Sequence, residues 1–545
     1  MDRNLFCPFV IVVSINLQPS YNVWIDYLGF LSNKIPSIIV FFFFVKFYRH
    51  SNTNSRFMSE PVSPKQNTVY RFFASSIYVR QVEYIYFHRN TGRHVRCDLP
   101  DGVPGVALCS TVYLRVVSAH RKLTRHRTVH QKAVFNGSIM HTSVKCLTLL
   151  LGVAAASLGP FEELYTWKQL DFQFPTSNAR EAAIASGDFV QINNLPVGIE
   201  IWKDKLFVTV PRWKKGVPSN LNYISLSNTT GNKSPALTPY PDWETNDIHQ
   251  TGKESIVNIF RLAVDSCDRL WGIDAGSDDI LGEGALVAPV QLIVIDLKTD
   301  QVIRRYRLTD ADQRFESFFA NLVVDVEADA CDQAFAYVSD LGANGLVVYS
   351  WEKNKSWRVD HNFFAFDPLH GDFNVSGINF QWTDGIFGLA LSPLRSDGSK
   401  SLYFHALASI TEFEVSTTVL KDEVLATSNG NYYHFKRLGY KGELSQCTAS
   451  VMDWQSGVAF FAAVNRDGIA CWNTKKSLDQ SSFRLVAEDH DALVFPNDIK
   501  IAQDTRQLYV ISDKMPLFQY ANIDPQQINY RILKAPVDEA VKTCL

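Results

Sequence analysis

The 545-residue chain lacks the short motifs that mark common catalytic sites. It contains no GxSxG nucleophile elbow, no HExxH zinc motif, no phosphate-cradling glycine loop and no dinucleotide fingerprint. None of its nine cysteines has the CxxC spacing of a zinc or redox site. We therefore predict no metal and no cofactor, and we assign no catalytic residue.

Histidines in diagnostic patterns are also missing. A lone histidine is more often a surface or satisfied core residue than a catalytic one. The six histidines downstream of residue 157 are His249, His361, His370, His405, His434 and His490, and none lies in a recognisable catalytic motif. The acidic stretch "EDHDALVFPND" (488–498) is interpreted as a solvated loop between blades of a repeat fold rather than as a proton-transfer site.

Acidic residues are absent between Asp101 and Glu162, although basic residues crowd positions 115–132. The net charge of the whole chain is −3, which argues against nucleic-acid binding as its main task. We interpret the basic stretch as unpatterned sequence; a nucleic-acid or membrane-surface patch is the alternative.

Long hydrophobic runs are missing as well. The most apolar stretch, "IPSIIVFFFFV" (35–45), has eleven residues, whereas a membrane-spanning helix needs roughly 20. We therefore expect no stable membrane anchor.

A secretory signal is present, but inside the chain. Residues 140–157 contain Lys145, an apolar run from Cys146 to Ala156, and small residues that allow cleavage near Ala156 or Ser157. We expect Met140 to be the natural start and residues 1–139 to be a disordered, unpatterned extension from an over-extended gene model or an alternative start. The mature protein would be secreted and extracellular.

Secretion would place the remaining cysteines in an oxidising compartment. Pairing neighbours in sequence predicts Cys267–Cys331 and Cys447–Cys471, with Cys544 left over. Other pairings and buried free thiols remain open. Four sequons predict N-glycosylation at Asn228, Asn232, Asn354 and Asn374.

From residue 197 onward the sequence predicts β-strands, because short apolar runs are separated by turns rich in Asp, Gly and Asn. This hairpin pattern recurs six times, at 198–210, 261–274, 322–340, 388–407, 449–472 and 498–513. Repeats of this size predict an all-β, six-bladed β-propeller over 197–545, preceded by an extended N-terminal arm over 158–196. Propellers often close their ring with a terminal strand. Two stacked β-sandwiches are the alternative.

Several long motifs identify a resemblance. "LPVGIEIWKDKLFVTVPRWKKGVPSNLNYI", "RLAVDSCDRLWGIDAG", "GDFNVSGINFQW" and "LVFPNDIKI" resemble the yellow and major royal jelly protein family of insects, and the third is most similar to the yellow proteins. The similarity covers roughly residues 164–535. It implies a secreted six-bladed propeller.

The resemblance also implies a function. Family members are linked to cuticle pigmentation and melanin formation, and some are reported to convert dopachrome by tautomerase or decarboxylase chemistry. Salivary relatives bind biogenic amines such as serotonin in the channel without turnover, through an asparagine that corresponds to Asn497 here. We expect a pigmentation protein with a small catechol or biogenic amine as its partner; a non-catalytic binder of dopamine or serotonin, or a signalling or nutritional protein, is the alternative. The oligomeric state is not predicted.

Overall fold

A computed structural model describes residues 157–227, 231–249 and 254–545, together with the backbone of a short antiparallel hairpin, Ile15–Leu17 with Tyr21–Val23. The chain divides into two units, Met1–Met140 and His141–Leu545. The predicted extension (1–139), the predicted signal peptide up to residue 156, and Asn228 lie outside the fully described residues.

Six four-stranded antiparallel sheets make up most of the second unit. The innermost strand of each sheet contacts that of the next, and the innermost strand of the sixth contacts that of the first. The predicted all-β class and six-bladed propeller are confirmed, and the two-sandwich alternative is wrong.

The blades are numbered along the chain, with strands given from the channel outward. Their bounds are Ile199–Trp202, Lys205–Thr209, Leu221–Ser225 and Thr238–Pro239 in blade 1; Ile259–Val264, Arg269–Asp274, Gln291–Asp296 and Gln301–Arg307 in blade 2; Phe319–Asp325, Phe335–Asp340, Gly345–Ser350 and Lys355–Asp360 in blade 3; Ile386–Leu391, Ser401–Ala406, Thr411–Ser416 and Phe435–Tyr440 in blade 4; Cys447–Asp453, Val458–Ala463, Gly468–Asn473 and Arg484–Glu488 in blade 5; and Pro496–Ala502, Gln507–Ser512, Tyr530–Pro536 and Glu162–Trp167 in blade 6.

Blade 6 combines both ends of the unit. Glu162–Trp167 lies within the segment predicted as an arm, and it pairs antiparallel with Tyr530–Pro536. Trp167 and Tyr165 of this strand are buried in the largest hydrophobic cluster. The strand therefore closes the ring by completing the last blade.

The local sequence explains why these strands form. The second strand of blade 5, Val458–Ala463, is apolar along its whole length and all six of its residues are buried, because both of its faces are covered by neighbouring blades. Tight turns carry Asp or Asn in the left-handed region, such as Asp268 (φ 59°), Asp300 (φ 56°) and Asn344 (φ 52°). The turn residues that recur in the sequence thus end the strands.

Helices are short and lie between strands. The α-helices are Ser177–Ser186, Trp243–Asn246, Thr417–Lys421, Glu423–Ala426, Met515–Tyr520 and Val537–Ala540, and the 3₁₀ turns are Gln191–Asn193, Cys331–Gln333, Asn362–Phe364, Asn429–His434, Val464–Arg466 and Val541–Thr543. Two extra hairpins pair Ser277–Asp278 with Ala285–Leu286 and Asp372–Val375 with Ile378–Gln381. No helix within the described ranges is long and apolar enough to cross a membrane.

The first predicted disulfide, Cys267–Cys331, is present, but the second is wrong: Cys471 bonds to Cys544, and Cys447 is a buried free thiol. Cys447 and Cys471 lie in the first and third strands of blade 5. Two strand spacings separate them by roughly 10 Å, beyond the ~7 Å that a disulfide tolerates between Cα atoms. Two helical turns, Val537–Ala540 and Val541–Thr543, instead bring Cys544 to Cys471.

The predicted glycosylation sites remain predictions. Asn232, Asn354 and Asn374 are exposed, so the surface has room for a glycan attached to each of these side chains. The Asn354 Oδ1 accepts hydrogen bonds from Arg304 and Tyr349, and the Asn374 Nδ2 donates to Asn379.

Replacing Trp167 with Ala should destabilise the closed ring. The indole is 2% exposed and its Nε1 donates to the Pro235 carbonyl, and removing a buried Trp side chain typically costs about 3–5 kcal/mol. Trp454→Ala is the matched control, since Trp454 is 48% exposed and its loss should cost about 1 kcal/mol or less. Denaturant unfolding of both variants measures the difference; equal losses would contradict closure by this strand.

Peptide mapping of the unreduced protein should recover Cys267–Cys331 and Cys471–Cys544 as linked peptides. Cys447 should react with an alkylating reagent only after unfolding, because burial raises the pKa of its thiol to about 12. Cys544→Ala should lower stability by about 2–5 kcal/mol. Recovery of a Cys447–Cys471 peptide would refute the observed pairing.

Candidate ligand site in the central channel

A cavity of about 290 Å³ opens at the end of the channel where the first strand of each blade begins. In blades 2 to 6 the second residue of the first strand lines it, and in blade 1 a residue just before the first strand does so. These residues are Val197, Phe260, Ala320, Phe387, Thr448 and Asn497. Equivalent positions of six repeats thus converge on one site.

Aromatic rings form much of the cavity wall, contributed by Trp213, Phe260, Phe318, Trp382, Phe387 and Phe495. The rings pack against one another: Trp213 and Phe318 each lie 5.0 Å from Phe260 between ring centroids. Such a wall favours a flat, apolar or aromatic ligand.

The yellow-like motif "GDFNVSGINFQW" (371–382) forms the hairpin Asp372–Gln381 and ends in Trp382, which lines the cavity. Its Phe380 packs 5.3 Å from Tyr520, between ring centroids, in the helix Met515–Tyr520. The Trp382 Nε1 donates to the Tyr520 hydroxyl at 2.6 Å. This motif therefore shapes one side of the cavity.

Asn497, the ligand-binding residue expected from the family resemblance, lines the cavity and is 2% exposed. Its amide is already held at both ends: Nδ2 donates to Asp513 Oδ2 at 2.6 Å, and Oδ1 accepts from Arg261 Nη2 at 2.6 Å. A ligand would therefore share Oδ1 through its second lone pair.

Arg261 lies across the channel beside the cavity. Its Nη1 is 2.7 Å from Asp498 Oδ1, and its guanidinium carbon is 5.0 Å from the centre of the Phe387 ring. Asp498 Oδ2 also accepts from the backbone of Ile199 at 3.0 Å. One buried ion pair thus links the inner strands of blades 2, 6 and 1 and reaches the aromatic wall of blade 4.

Asp513 holds the side chain of Asn497 in place by accepting a hydrogen bond from its Nδ2. Burial raises the pKa of its carboxyl to about 8, so this group is largely protonated at neutral pH. The backbone around it is strained, because Phe495 (φ 51°) and Lys514 (φ 52°) both adopt the left-handed region. Strain of this kind clusters at functional sites.

Asp384 supplies the carboxylate among the cavity-lining residues, and sequence reasoning missed it. It lies two residues before the first strand of blade 4, and burial raises the pKa of its carboxyl to about 6. No hydrogen bond joins its carboxylate to another described side chain. In sequence, an Asp before a strand is indistinguishable from a turn residue.

The six histidines lie outside this cavity. His405 is buried against Glu412 at 2.9 Å, and His370 and His490 pair with Asp367 and Asp467 at 2.7 and 3.0 Å. His490 is 69% exposed, but residues 492–498 are buried and the last three begin the first strand of blade 6, so the solvated-loop interpretation of 488–498 is wrong for most of the stretch. The described residues contain no group of three His, Cys, Asp or Glu side chains arranged for a metal ion.

The chain is similar to known proteins along most of the propeller. The model of the family described as "Major royal jelly protein" matches residues 257–544, more than half of the chain. Protein yellow of Drosophila subobscura is 43% identical over 400 residues, covering 72% of this chain and 69% of that protein. Protein yellow of Drosophila melanogaster is 43% identical over 379 residues, covering 69% of each.

Among solved structures, a luciferin-regenerating enzyme is 11% identical, with a TM-score of 0.37, covering 62% of this chain and 90% of that one. That likeness is too distant to carry an argument about function. The sequence relatives and the family model are sufficient: the chain belongs to the yellow and major royal jelly protein family, which its motifs resemble.

Proposed function

We propose that this protein is a secreted yellow-type protein of cuticle pigmentation that binds a catecholamine or related aromatic amine in the channel cavity. The observation that carries the proposal is a single carboxylate, Asp384, in a cavity walled by aromatic rings. A positively charged, flat ligand satisfies both features.

The chemistry of binding divides between three parts of the site. The ammonium group of the ligand pairs with the Asp384 carboxylate in a partly desolvated environment, where a charge-assisted hydrogen bond is strong. The ring of the ligand packs against the aromatic wall, and Asn497 Oδ1 and the Thr448 hydroxyl offer acceptors for catechol hydroxyls.

Extracellular action is supported by the disulfides. Cys267–Cys331 and Cys471–Cys544 are the kind of bond that persists in oxidising compartments. The predicted signal peptide and the exposed sequons at Asn232, Asn354 and Asn374 agree with passage through the secretory route.

Asp384 also favours a second candidate function, conversion of dopachrome. A carboxyl with a pKa of about 6 is ionised at neutral pH yet basic enough to accept a proton. In tautomerisation Asp384 would remove the proton from the ring carbon that bears the carboxylate, and a proton would return to a quinone oxygen. Transfer of a second proton, from the neighbouring ring carbon to the other quinone oxygen, completes the dihydroxyindole; in total two C–H bonds break and two O–H bonds form, so no external oxidant is needed.

Dopamine affinity should depend on the ionisation of Asp384. The carboxyl pKa is about 6, so affinity should fall by up to tenfold per unit below pH ~6, where protonation removes the counter-ion. Asp384→Asn should weaken binding at pH 7.5 by roughly 10–100-fold, the ~1.5–3 kcal/mol of a charged hydrogen bond, and should remove this loss of affinity below pH ~6. Titration calorimetry between pH 5 and 8 measures both effects.

Asp504→Asn is the matched control, because Asp504 is an exposed residue between the first two strands of blade 6, at the opposite end of that sheet. It should leave affinity unchanged. Asn497→Ala should also weaken binding, since it removes an acceptor in the cavity. If Asp384→Asn bound dopamine as tightly as wild type, the proposed role of the carboxylate would be wrong.

Dopachrome decay should be faster with the protein than with buffer if the second candidate function holds. Following the absorbance of dopachrome with wild type and with Asp384→Asn isolates the contribution of the base, which for a general base is typically 10²–10⁴-fold. Decay no faster than in buffer, with dopamine binding intact, would leave a binding protein without turnover.

A further inference from the structure

A second cavity lies at the perimeter of the propeller, between blades 3 and 4, away from the residues that line the channel cavity. Its volume is about 240 Å³, far more than one bound water requires. Residues 358–362 line one side, at the end of the outer strand of blade 3, and residues 427–432 line the other, before the outer strand of blade 4.

The floor of this perimeter cavity is a preformed polar network. Arg358 is 8% exposed, and it donates to Asp340 Oδ2 at 2.7 Å, to Asp360 Oδ1 at 2.8 Å and to the Ala343 carbonyl at 2.9 Å. Asn431 is 6% exposed and its Nδ2 donates to the Ala426 carbonyl at 2.8 Å. The side chains at the floor are therefore fixed before any ligand arrives.

Charges within this cavity cancel. The Arg358 guanidinium faces two carboxylates, Asp340 and Asp360, and Arg314 Nη2 lies 3.5 Å from Asp360 Oδ2. His361 adds no charge at neutral pH, since burial lowers the pKa of its imidazole. An anion would meet the Asp360 carboxylate and a cation would meet the two guanidinium groups, so the site suits a neutral polar ligand.

Hydrogen-bonding capacity remains open at the walls. The side chains of Asn362 and Asn429 are exposed and make no hydrogen bond to other described residues. Tyr432 stacks on the ring of His361, with centroids 5.1 Å apart and planes 18° apart, and is 46% exposed. The cavity thus combines amide groups, a carboxylate and an aromatic ring.

We propose that the perimeter cavity binds a neutral sugar unit of a glycan. Sugar hydroxyls both donate and accept, which matches amides that do the same and a carboxylate that accepts. The apolar face of a sugar ring packs on an exposed aromatic ring, here Tyr432. This site is separate from the proposed amine site and does not depend on it.

The test uses the full secreted protein and three neutral probes: tetramers of N-acetylglucosamine, of glucose and of mannose. Saturation-transfer NMR and calorimetry should detect saturable binding of at least one tetramer. Tyr432→Ala and Asn429→Ala should each weaken that binding at least tenfold. Both residues are exposed, and circular dichroism with thermal unfolding checks that each variant folds.

Tyr440→Ala is the matched control, because Tyr440 is 49% exposed, much like Tyr432, and does not line the cavity. It should bind the tetramer like wild type, and so should Asp384→Asn, which separates this site from the channel. Binding of none of the tetramers, or equal loss in Tyr432→Ala and Tyr440→Ala, would overturn the proposal. The tetramer that binds distinguishes an N-acetylglucosamine polymer from a glucose polymer or a mannose-type protein glycan.

Discussion

Closure of the ring is the constraint on which the rest of this structure depends. A single four-stranded blade cannot bury both of its apolar faces, so each blade needs a neighbour on each side. The strand Glu162–Trp167 completes blade 6 at its outer edge, and the innermost strand of that blade contacts the innermost strand of blade 1. Because the ring closes, the second residues of successive inner strands meet around one opening, and the channel cavity follows from this geometry.

Arg261 determines what can occupy the channel below that opening. A fully buried guanidinium is tolerated only when it is paired, and Asp498 and Asn497 both hold it. Protonation of Asp513 at neutral pH keeps a second negative charge out of this network. Asp384 is left as the carboxylate among the cavity-lining residues, so the cation binding proposed there would not compete with the structural ion pair.

The two cavities of the propeller have opposite chemistry. The channel cavity is aromatic and carries one carboxylate with a raised pKa, which suits an aromatic cation. The perimeter cavity is polar with balanced charges, which suits a neutral ligand rich in hydroxyls. Under the two proposals, the protein would be retained on a glycan while its channel binds a soluble amine. The two proposals nevertheless depend on different residues.

The sequence alone determined the fold class, the number of blades and the family. Apolar runs that alternate with Asp or Asn turns are local features, and they repeat six times along the chain. Such features can be recognised in the amino-acid sequence itself. It also identified Asn497 as a residue of the channel mouth through the motif "VFPNDIKI", and the structure places that residue in the cavity lining.

Only the tertiary structure decided the second disulfide and the acidic residue of the cavity. Cys447 and Cys471 are near in sequence but lie two strands apart, whereas Cys544 is remote in sequence and folds back onto blade 5. Asp384 resembles any turn residue before a strand, and it becomes distinctive only when six blades surround it with aromatic rings. Pairing and burial are properties of distance in space, and separation along a chain does not determine them.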